Sequence, residues 1–129
     1  MKLQIDLIKS LLAFIEESPN FPEPIYNREI QLDGVDSVTV LYHLCQMLDA
    51  GLIQGYESKA TRNQYIIIHR LTWEGHAFLA NAQNKTVWEH FKTVSRSMGI
   101  FSLDVAKGTL AGIAQQTAMQ AAHSALMTG

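Results

Sequence analysis

Residues 37–53 read SVTVLYHLCQMLDAGLI, an apolar pattern of helix length that ends at a glycine. Asp36 or Ser37 can cap such a helix at its start, and Gly51 can end it. At about 100° per residue, one side collects the apolar residues Val38, Leu41, Leu44, Cys45 and Leu48. The opposite side collects uncharged polar residues, namely Thr39, Tyr42, His43 and Gln46. The pattern predicts an amphipathic helix that shows a stripe of hydrogen-bonding groups to solvent.

Two β-prone runs follow this helix. Leu52–Ile53 and Tyr65–Ile68 consist of aliphatic and aromatic residues, and the polar residues ESKATRNQ at 57–64 separate them. This arrangement predicts a hairpin with a long tip. A hairpin directly after a helix is the wing arrangement of winged-helix proteins.

Upstream, the sequence predicts a helix, a loop and a strand. The helix covers residues 3–17, with an apolar stripe at Leu7, Ile8, Leu11, Leu12, Phe14 and Ile15. All three prolines lie within residues 19–24, and they predict a loop because proline cannot continue a helix. The alternation in NREIQL at 27–32 predicts a short strand that ends at the turn pair Asp33-Gly34.

Downstream, two helices are predicted. Thr72 can cap the first, which runs to about residues 81–84. TVWE at 86–89 matches a capping box for the second, which Gly99 ends with Ile100 covering the exit. Aromatic residues recur at helical spacing in this region and are interpreted as core, namely Trp73, Phe78, Trp88 and Phe91.

Ser102 can cap a last helix that carries a narrow stripe of small and apolar residues. Such a stripe lets another helix approach closely, either within the chain or from a second copy, and the composition leaves both alternatives open. For an oligomer, the contact residues are Leu103, Ala106, Leu110, Ile113, Thr117 and Ala121. The fold class is therefore mainly α with a small β-hairpin wing, a winged-helix-like domain over residues 1–83 followed by C-terminal helices over 84–129.

Composition excludes several classes of function. The formal net charge is -2 and only 17% of residues are charged, so no overall field attracts a polyanion. Cys45 is the single cysteine, which excludes an internal disulfide and fits the cytoplasm. The chain lacks the spacing of a metal site, a phosphate loop or a nucleophile motif, so we expect no metal, no cofactor and no enzyme activity. His69 and His76 are interpreted as framework residues. Residues 108–129 lack charge but carry too many polar groups for a membrane span.

YHLCQMLDAGLI at 42–53 resembles the HLxxLxxAGLI pattern of many winged helix-turn-helix repressors. The resemblance implies that this helix enters the major groove of duplex DNA and that the wing touches the phosphate backbone. The residues it implies are Ser37, Thr39, Tyr42, His43 and Gln46 on the helix, and Lys59, Arg62, Asn63 and Gln64 at the tip. The sequence departs from the pattern in two ways. The second helix of the motif is missing or reduced to one turn, and Asp33, Asp36 and Asp49 would repel phosphates.

Over residues 1–100 the chain also resembles a family of short, functionally uncharacterised bacterial and prophage-associated proteins. The phrases that carry this resemblance are DLIKSLLAFIEE, YHLCQMLDAGLI, RLTWEGHAFL and VWEHFK. The leading hypothesis is a DNA-binding homodimer that regulates transcription. The alternative is a protein-interaction module in which the tail helix drives association.

Overall fold

The computed structural model describes residues 1–19, 21–59, 62–99 and 102–128. The chain divides into two compact units, Met1–Leu79 and Ala80–Gly129. The helices are α1 (Ile5–Glu17), α2 (Ser37–Asp49), α3 (Trp73–Gln83), α4 (Lys85–Met98) and α5 (Leu103–Thr128), and the strands are β1 (Ile25–Tyr26), β2 (Ile53–Ser58) and β3 (Tyr65–Leu71). The predicted mainly helical fold, with a β-hairpin and a C-terminal helix, is confirmed.

The first unit is built around an antiparallel sheet with strand order β1-β3-β2. Side chains alternate along each strand, so the sheet has an inner and an outer face. The inner face is buried and carries Ile25, Ile53, Ile66, Ile68 and Leu71. Helices α1 and α2 contact β3, and they cover this face. The predicted apolar stripe of α1 is confirmed, with Phe14 half-buried and its other members buried.

The strand predicted at residues 27–32 is wrong. Pairing with β3 ends at Tyr26, and Asn27–Glu29 form one turn of 3₁₀ helix. The reason is the side chain of Asn27, whose Oδ1 accepts the backbone N–H of Ile66 at 3.0 Å. The Asn27 amide takes the place that a backbone carbonyl would hold in the ladder, and the main chain is free to turn away.

Helix α2 begins and ends where predicted, but its buried side is not the predicted one. The buried residues are Val40, His43, Leu44 and Met47, while Val38 is 63% exposed. This set follows the i, i+3, i+4, i+7 spacing of a core stripe. Because His43 is polar, the sequence analysis placed it on the exposed side of the helix. The predicted buried stripe is therefore rotated by one residue, about 100°, from the observed one.

The junction between α2, β2 and α3 is fixed by backbone contacts. Gly51, at φ 76°, ends α2, with the N–H groups of Gly51 and Leu52 donating to the carbonyls of Leu48 and Met47. The Thr72 hydroxyl donates to the Gly51 carbonyl at 2.6 Å and accepts the Gly75 N–H at 3.0 Å. A Cβ at Gly75 would overlap the Leu52 carbonyl oxygen. The predicted stop at Gly51 and cap at Thr72 are both confirmed.

The second unit pairs α4 with α5. Asn84 caps α4, because its Oδ1 accepts the Val87 N–H at 3.1 Å, so the predicted capping box at Thr86 is wrong. Gly99 ends α4 in the left-handed conformation as predicted, and Ile100 lies outside the described residues. The predicted core aromatics Phe78, Trp88 and Phe91 are buried.

Trp73 is the exception among the predicted core aromatics, since its side chain is 86% exposed. It occupies the first position of α3, directly after the capping residue. The side chain at the first position of α3 lies before the helical turns that pack against the core. The indole ring therefore remains exposed to solvent.

Candidate interaction surfaces

The exposed side of α2, here called the α2 face, contains one of the helix residues that the sequence analysis predicted to contact DNA, namely Tyr42. Val38 and Asp49 are exposed, and four further members are half-exposed. The α2 face comprises Val38, Leu41, Tyr42, Cys45, Leu48 and Asp49. It is therefore mostly apolar, in contrast to the predicted stripe of neutral polar groups.

His43 was predicted to lie on the exposed stripe, and this prediction is wrong. The imidazole is fully buried. Its Nδ1 lies 2.8 Å from the Thr39 carbonyl oxygen, and its Nε2 accepts the backbone N–H of Gln4 at 2.9 Å. Because Nε2 accepts, Nδ1 carries the proton and the ring is neutral. Burial lowers the pKa of His43, against the smaller opposing effect of the Thr39 hydrogen bond. A buried ring with both nitrogens engaged cannot read a base edge.

Of the other predicted helix residues, Tyr42 belongs to the α2 face, and Ser37, Thr39 and Gln46 lie at its margins. Thr39, Tyr42 and Gln46 are half-buried, whereas Ser37 is exposed. The Thr39 N–H donates to Asp36 Oδ1 at 2.7 Å, so Asp36 caps α2. The side-chain and backbone hydrogen bonds to Thr39 hold the pKa of Asp36 below its ordinary value. A carboxylate thus stands at the end of the helix that should face DNA.

Cys45 lies half-buried on the α2 face. Desolvation raises the pKa of its thiol to about 12, and a hydrogen bond to Glu57 with the charges of Glu57 and Asp49 adds to this effect. The thiol is therefore protonated near neutral pH, which disfavours nucleophilic chemistry. The sequence analysis missed Glu57. Its register opposite Ile66 places it on the inner face of the sheet, toward α2.

The hairpin tip carries the predicted phosphate contacts. Lys59, Arg62, Asn63 and Gln64 are all exposed, and Ala60 and Thr61 lie outside the described residues. Lys59 Nζ lies 3.5 Å from Glu57 Oε2, and Gln64 Nε2 lies 3.9 Å from Cys45 Sγ. Two of the four side chains thus turn toward groups of their own unit.

Acidic groups outnumber basic ones in this unit. Residues 1–79 contain ten Asp and Glu against six Lys and Arg, a formal net charge of -4. Residues 80–129 contain two acidic and four basic residues, a net charge of +2. The unit that carries α2 and the hairpin therefore repels a polyanion, except where its cations cluster locally.

The predicted oligomerisation residues divide into two groups. Leu103, Ala106, Leu110 and Ile113 are buried within the chain, so in this arrangement they cannot contact a second copy. Thr117 is half-buried and Ala121 is exposed, and Met119 nearby is 64% exposed. The first three turns or so of the stripe are therefore buried within the chain, which is one of the two alternatives that the sequence left open.

A cleft of about 240 Å³ lies between the end of α1, the proline-rich loop and the end of β3. Glu16, Glu23, His69, Arg70 and His76 line it, and His76 Nδ1 lies 3.4 Å from Glu16 Oε2. His69 and His76 are exposed, so their interpretation as framework residues is wrong. The sequence did not indicate this cleft, because Glu16 and His76 are 60 positions apart in the chain.

Within the described residues, no cluster of His, Cys, Asp or Glu has the arrangement of a metal site. No described helix combines the length and apolar character that crossing a bilayer requires.

The family model described as "Hypothetical protein (DUF2513)" matches residues 2–101. The chain belongs to the DUF2513 family. A relative described as an uncharacterized protein, from Haemophilus influenzae, is 34% identical over 108 residues, which cover 83% of this chain and 90% of the relative. No solved structure matches the chain. The predicted membership in a bacterial family of uncharacterised proteins is confirmed, and the DUF2513 match ends close to the start of α5.

Proposed function

We propose that this DUF2513 protein is a protein-interaction module whose α2 face binds an apolar, basic surface of a partner protein. The 63% exposure of Val38 within a mostly apolar helix face carries this proposal. Val38 lies outside the buried stripe of α2, so the exposed part of its side chain does not contribute to the stability of the fold. Burial of this side chain by a partner would be favourable by about 1 kcal/mol or more.

The charges around the α2 face determine the kind of partner. Asp36 stands at the start of the helix, Asp49 at its end, and Glu57 lies beside Cys45. Such an apolar strip with carboxylates at its borders complements an apolar patch ringed by Lys or Arg. The same carboxylates would lie against phosphates if α2 entered a groove of DNA.

Val38→Asp tests the proposal with a matched control. Val105, on α5, is 51% exposed, so Val105→Asp makes the same chemical change at another exposed helical valine. With the full chain as bait, crosslinking and quantitative mass spectrometry should recover a partner whose yield falls at least about tenfold for Val38→Asp and not for Val105→Asp. Equal recovery with both variants, at unchanged thermal stability, would contradict a role for the α2 face.

Duplex DNA binding through a winged-helix arrangement is the second candidate. The order of a helix, a short strand, one 3₁₀ turn, a helix and a hairpin favours it, as does the exposure of Arg62 and Asn63 at the tip. The test is a gel shift with random duplex at low salt. Binding that falls for the double variant Lys59→Glu, Arg62→Glu would support this candidate, and the absence of a complex at tens of micromolar would exclude it.

Self-association of the chain is assigned to the exposed part of α5 around Thr117, Met119 and Ala121. Light scattering of the full chain should then show a smaller mass for Met119→Glu than for the parent protein. An unchanged mass would remove this surface from the proposal. The proposed function involves no catalytic residue.

A further inference from the structure

The outer face of the sheet carries a row of aromatic and apolar side chains. Tyr26 and Tyr56 lie directly opposite Ile67 from either side, in strands β1 and β2. Tyr56 is 59% exposed, whereas Tyr26, Ile67 and the neighbouring Tyr65 are half-buried. Because adjacent strands are about 4.8 Å apart, the two tyrosines of the row are separated by roughly 10 Å. The row is a platform rather than a pocket.

The charges on this face are opposite in sign to those of its unit. Among the residues of the three strands, the only carboxylate is Glu57, and its register places it on the inner face. The outer face carries His69 and Arg70, and the Arg28 guanidinium lies 4.8 Å from the centre of the Tyr26 ring. Glu16 and Glu23 line the cleft next to His69 and Arg70, so they limit this cationic surface at one end.

A groove of about 320 Å³ adjoins the other end. It is lined by Tyr26, Asn27, Arg28, Asn63, Gln64 and Tyr65, none of which is acidic. The groove therefore joins the aromatic row to the hairpin tip through amide, hydroxyl and guanidinium groups, all of which can hydrogen-bond to a phosphate or a sugar.

From this arrangement we infer that the outer sheet face binds single-stranded nucleic acid. Two unpaired bases stack on Tyr56 and on the Tyr26–Arg28 pair, and the sugar-phosphate chain follows Arg28 into the groove. Stacking on aromatic rings beside cations is the usual means of binding single strands without strong sequence preference. Paired bases do not expose their flat faces, so a duplex does not fit this platform.

The experiment measures fluorescence anisotropy of labelled oligo(dT) and oligo(U) of ten nucleotides with the full chain. We expect binding at low salt that weakens as salt rises, by about 0.7 in log K per phosphate contact for each tenfold increase in salt. Arg28→Gln should reduce this slope. No binding at 100 µM protein (on the order of the weakest useful contact), or equal binding of a blunt duplex of the same length, would overturn the inference.

Three variants separate base stacking from other contacts. Tyr56→Leu should weaken binding by about 5- to 150-fold because it keeps an apolar side chain but removes the ring, whereas Tyr56→Phe should keep the affinity. Trp73→Leu changes an exposed aromatic residue outside the strands and serves as the control. If Tyr56→Leu binds as tightly as the parent chain, or if Tyr56→Phe and Trp73→Leu lose as much as Tyr56→Leu, base stacking on the sheet is excluded. Val38→Asp should leave oligonucleotide binding unchanged, because α2 covers the inner face, so the result is independent of the proposed protein partner.

Discussion

His43 joins the start of α1 to α2 inside the core. Its Nε2 accepts from the Gln4 N–H and its Nδ1 donates to the Thr39 carbonyl, so both nitrogens of the buried neutral ring have hydrogen-bond partners. Protonation would turn the accepting nitrogen into a donor and break the contact with Gln4. The position is thus a polar link between helices rather than a reading residue.

The lowered pKa of His43 makes stability depend on pH. The contribution is fully present above the ordinary value of 6.5 and is lost as pH falls from there through the folded-state pKa. We expect urea denaturation to show a falling free energy of unfolding between pH 7.5 and pH 5. His43→Leu should cost about 1–3 kcal/mol at pH 7.5 and flatten that dependence. An identical pH dependence in His43→Leu would assign the effect to other groups.

Cys45 should react slowly with alkylating reagents. With a pKa of about 12, its thiolate is scarce at pH 9, where an ordinary thiol of pKa 9.0 is about half ionised. Glu57→Gln removes one cause of the raised pKa, so alkylation by iodoacetamide at pH 9 should become several-fold faster. Asp33→Asn, at an exposed carboxylate, is the control and should leave the rate unchanged.

At the scale of elements, the junction at Thr72 links three segments through one side chain. Its hydroxyl both donates to Gly51 at the end of α2 and caps α3 at Gly75. Thr72→Val keeps the shape but loses both hydrogen bonds, so the free energy of unfolding should fall by about 1–2 kcal/mol or more. Thr72→Ser should retain most of the stability. Chemical denaturation compares the variants, and a loss of stability for Thr72→Ser with none for Thr72→Val would show that the methyl group matters rather than the hydroxyl.

Ser95 in α4 differs from Thr72 in the hydrogen bonding of its hydroxyl group. Its Oγ is buried and has no hydrogen-bond partner within the described part of the chain. Ser95→Ala removes an unsatisfied group and introduces the better helix former, so stability should rise by up to about 1 kcal/mol. A shift of the denaturation midpoint to higher urea checks this. A loss of stability would mean that the hydroxyl has a partner after all.

The sequence predicts α1 and the ends of α2 well, because apolar spacing and capping residues are local signals. It fails where a distant side chain decides the outcome. Asn27 bonds to Ile66 and displaces the predicted strand, and His43 bonds to Gln4 and turns the predicted face of α2 inward. The local capping box at Thr86 failed for a different reason, since Asn84 offers an alternative cap two residues earlier.

At the scale of the whole molecule, the candidate surfaces could not be read from the sequence. Tyr26 and Tyr56 are 30 positions apart, and only the pairing of both β1 and β2 with β3 places them in one row. The carboxylate of Glu57 and the aromatic ring of Tyr56 are chain neighbours that point to opposite faces. Net charge, averaged over the chain, conceals this separation of acidic and basic surfaces.

Lys107, near the start of α5, is the last Lys or Arg in the sequence, and the 22 residues that follow contain neither. Trypsin therefore has no cleavage site in most of this helix, whether the helix is folded or frayed, and a tryptic map would report the segment as protected in either case. Elastase, which cuts after small aliphatic residues, is the informative protease. It should cleave the exposed alanines between residues 118 and 125 well before the buried stretch around Leu110.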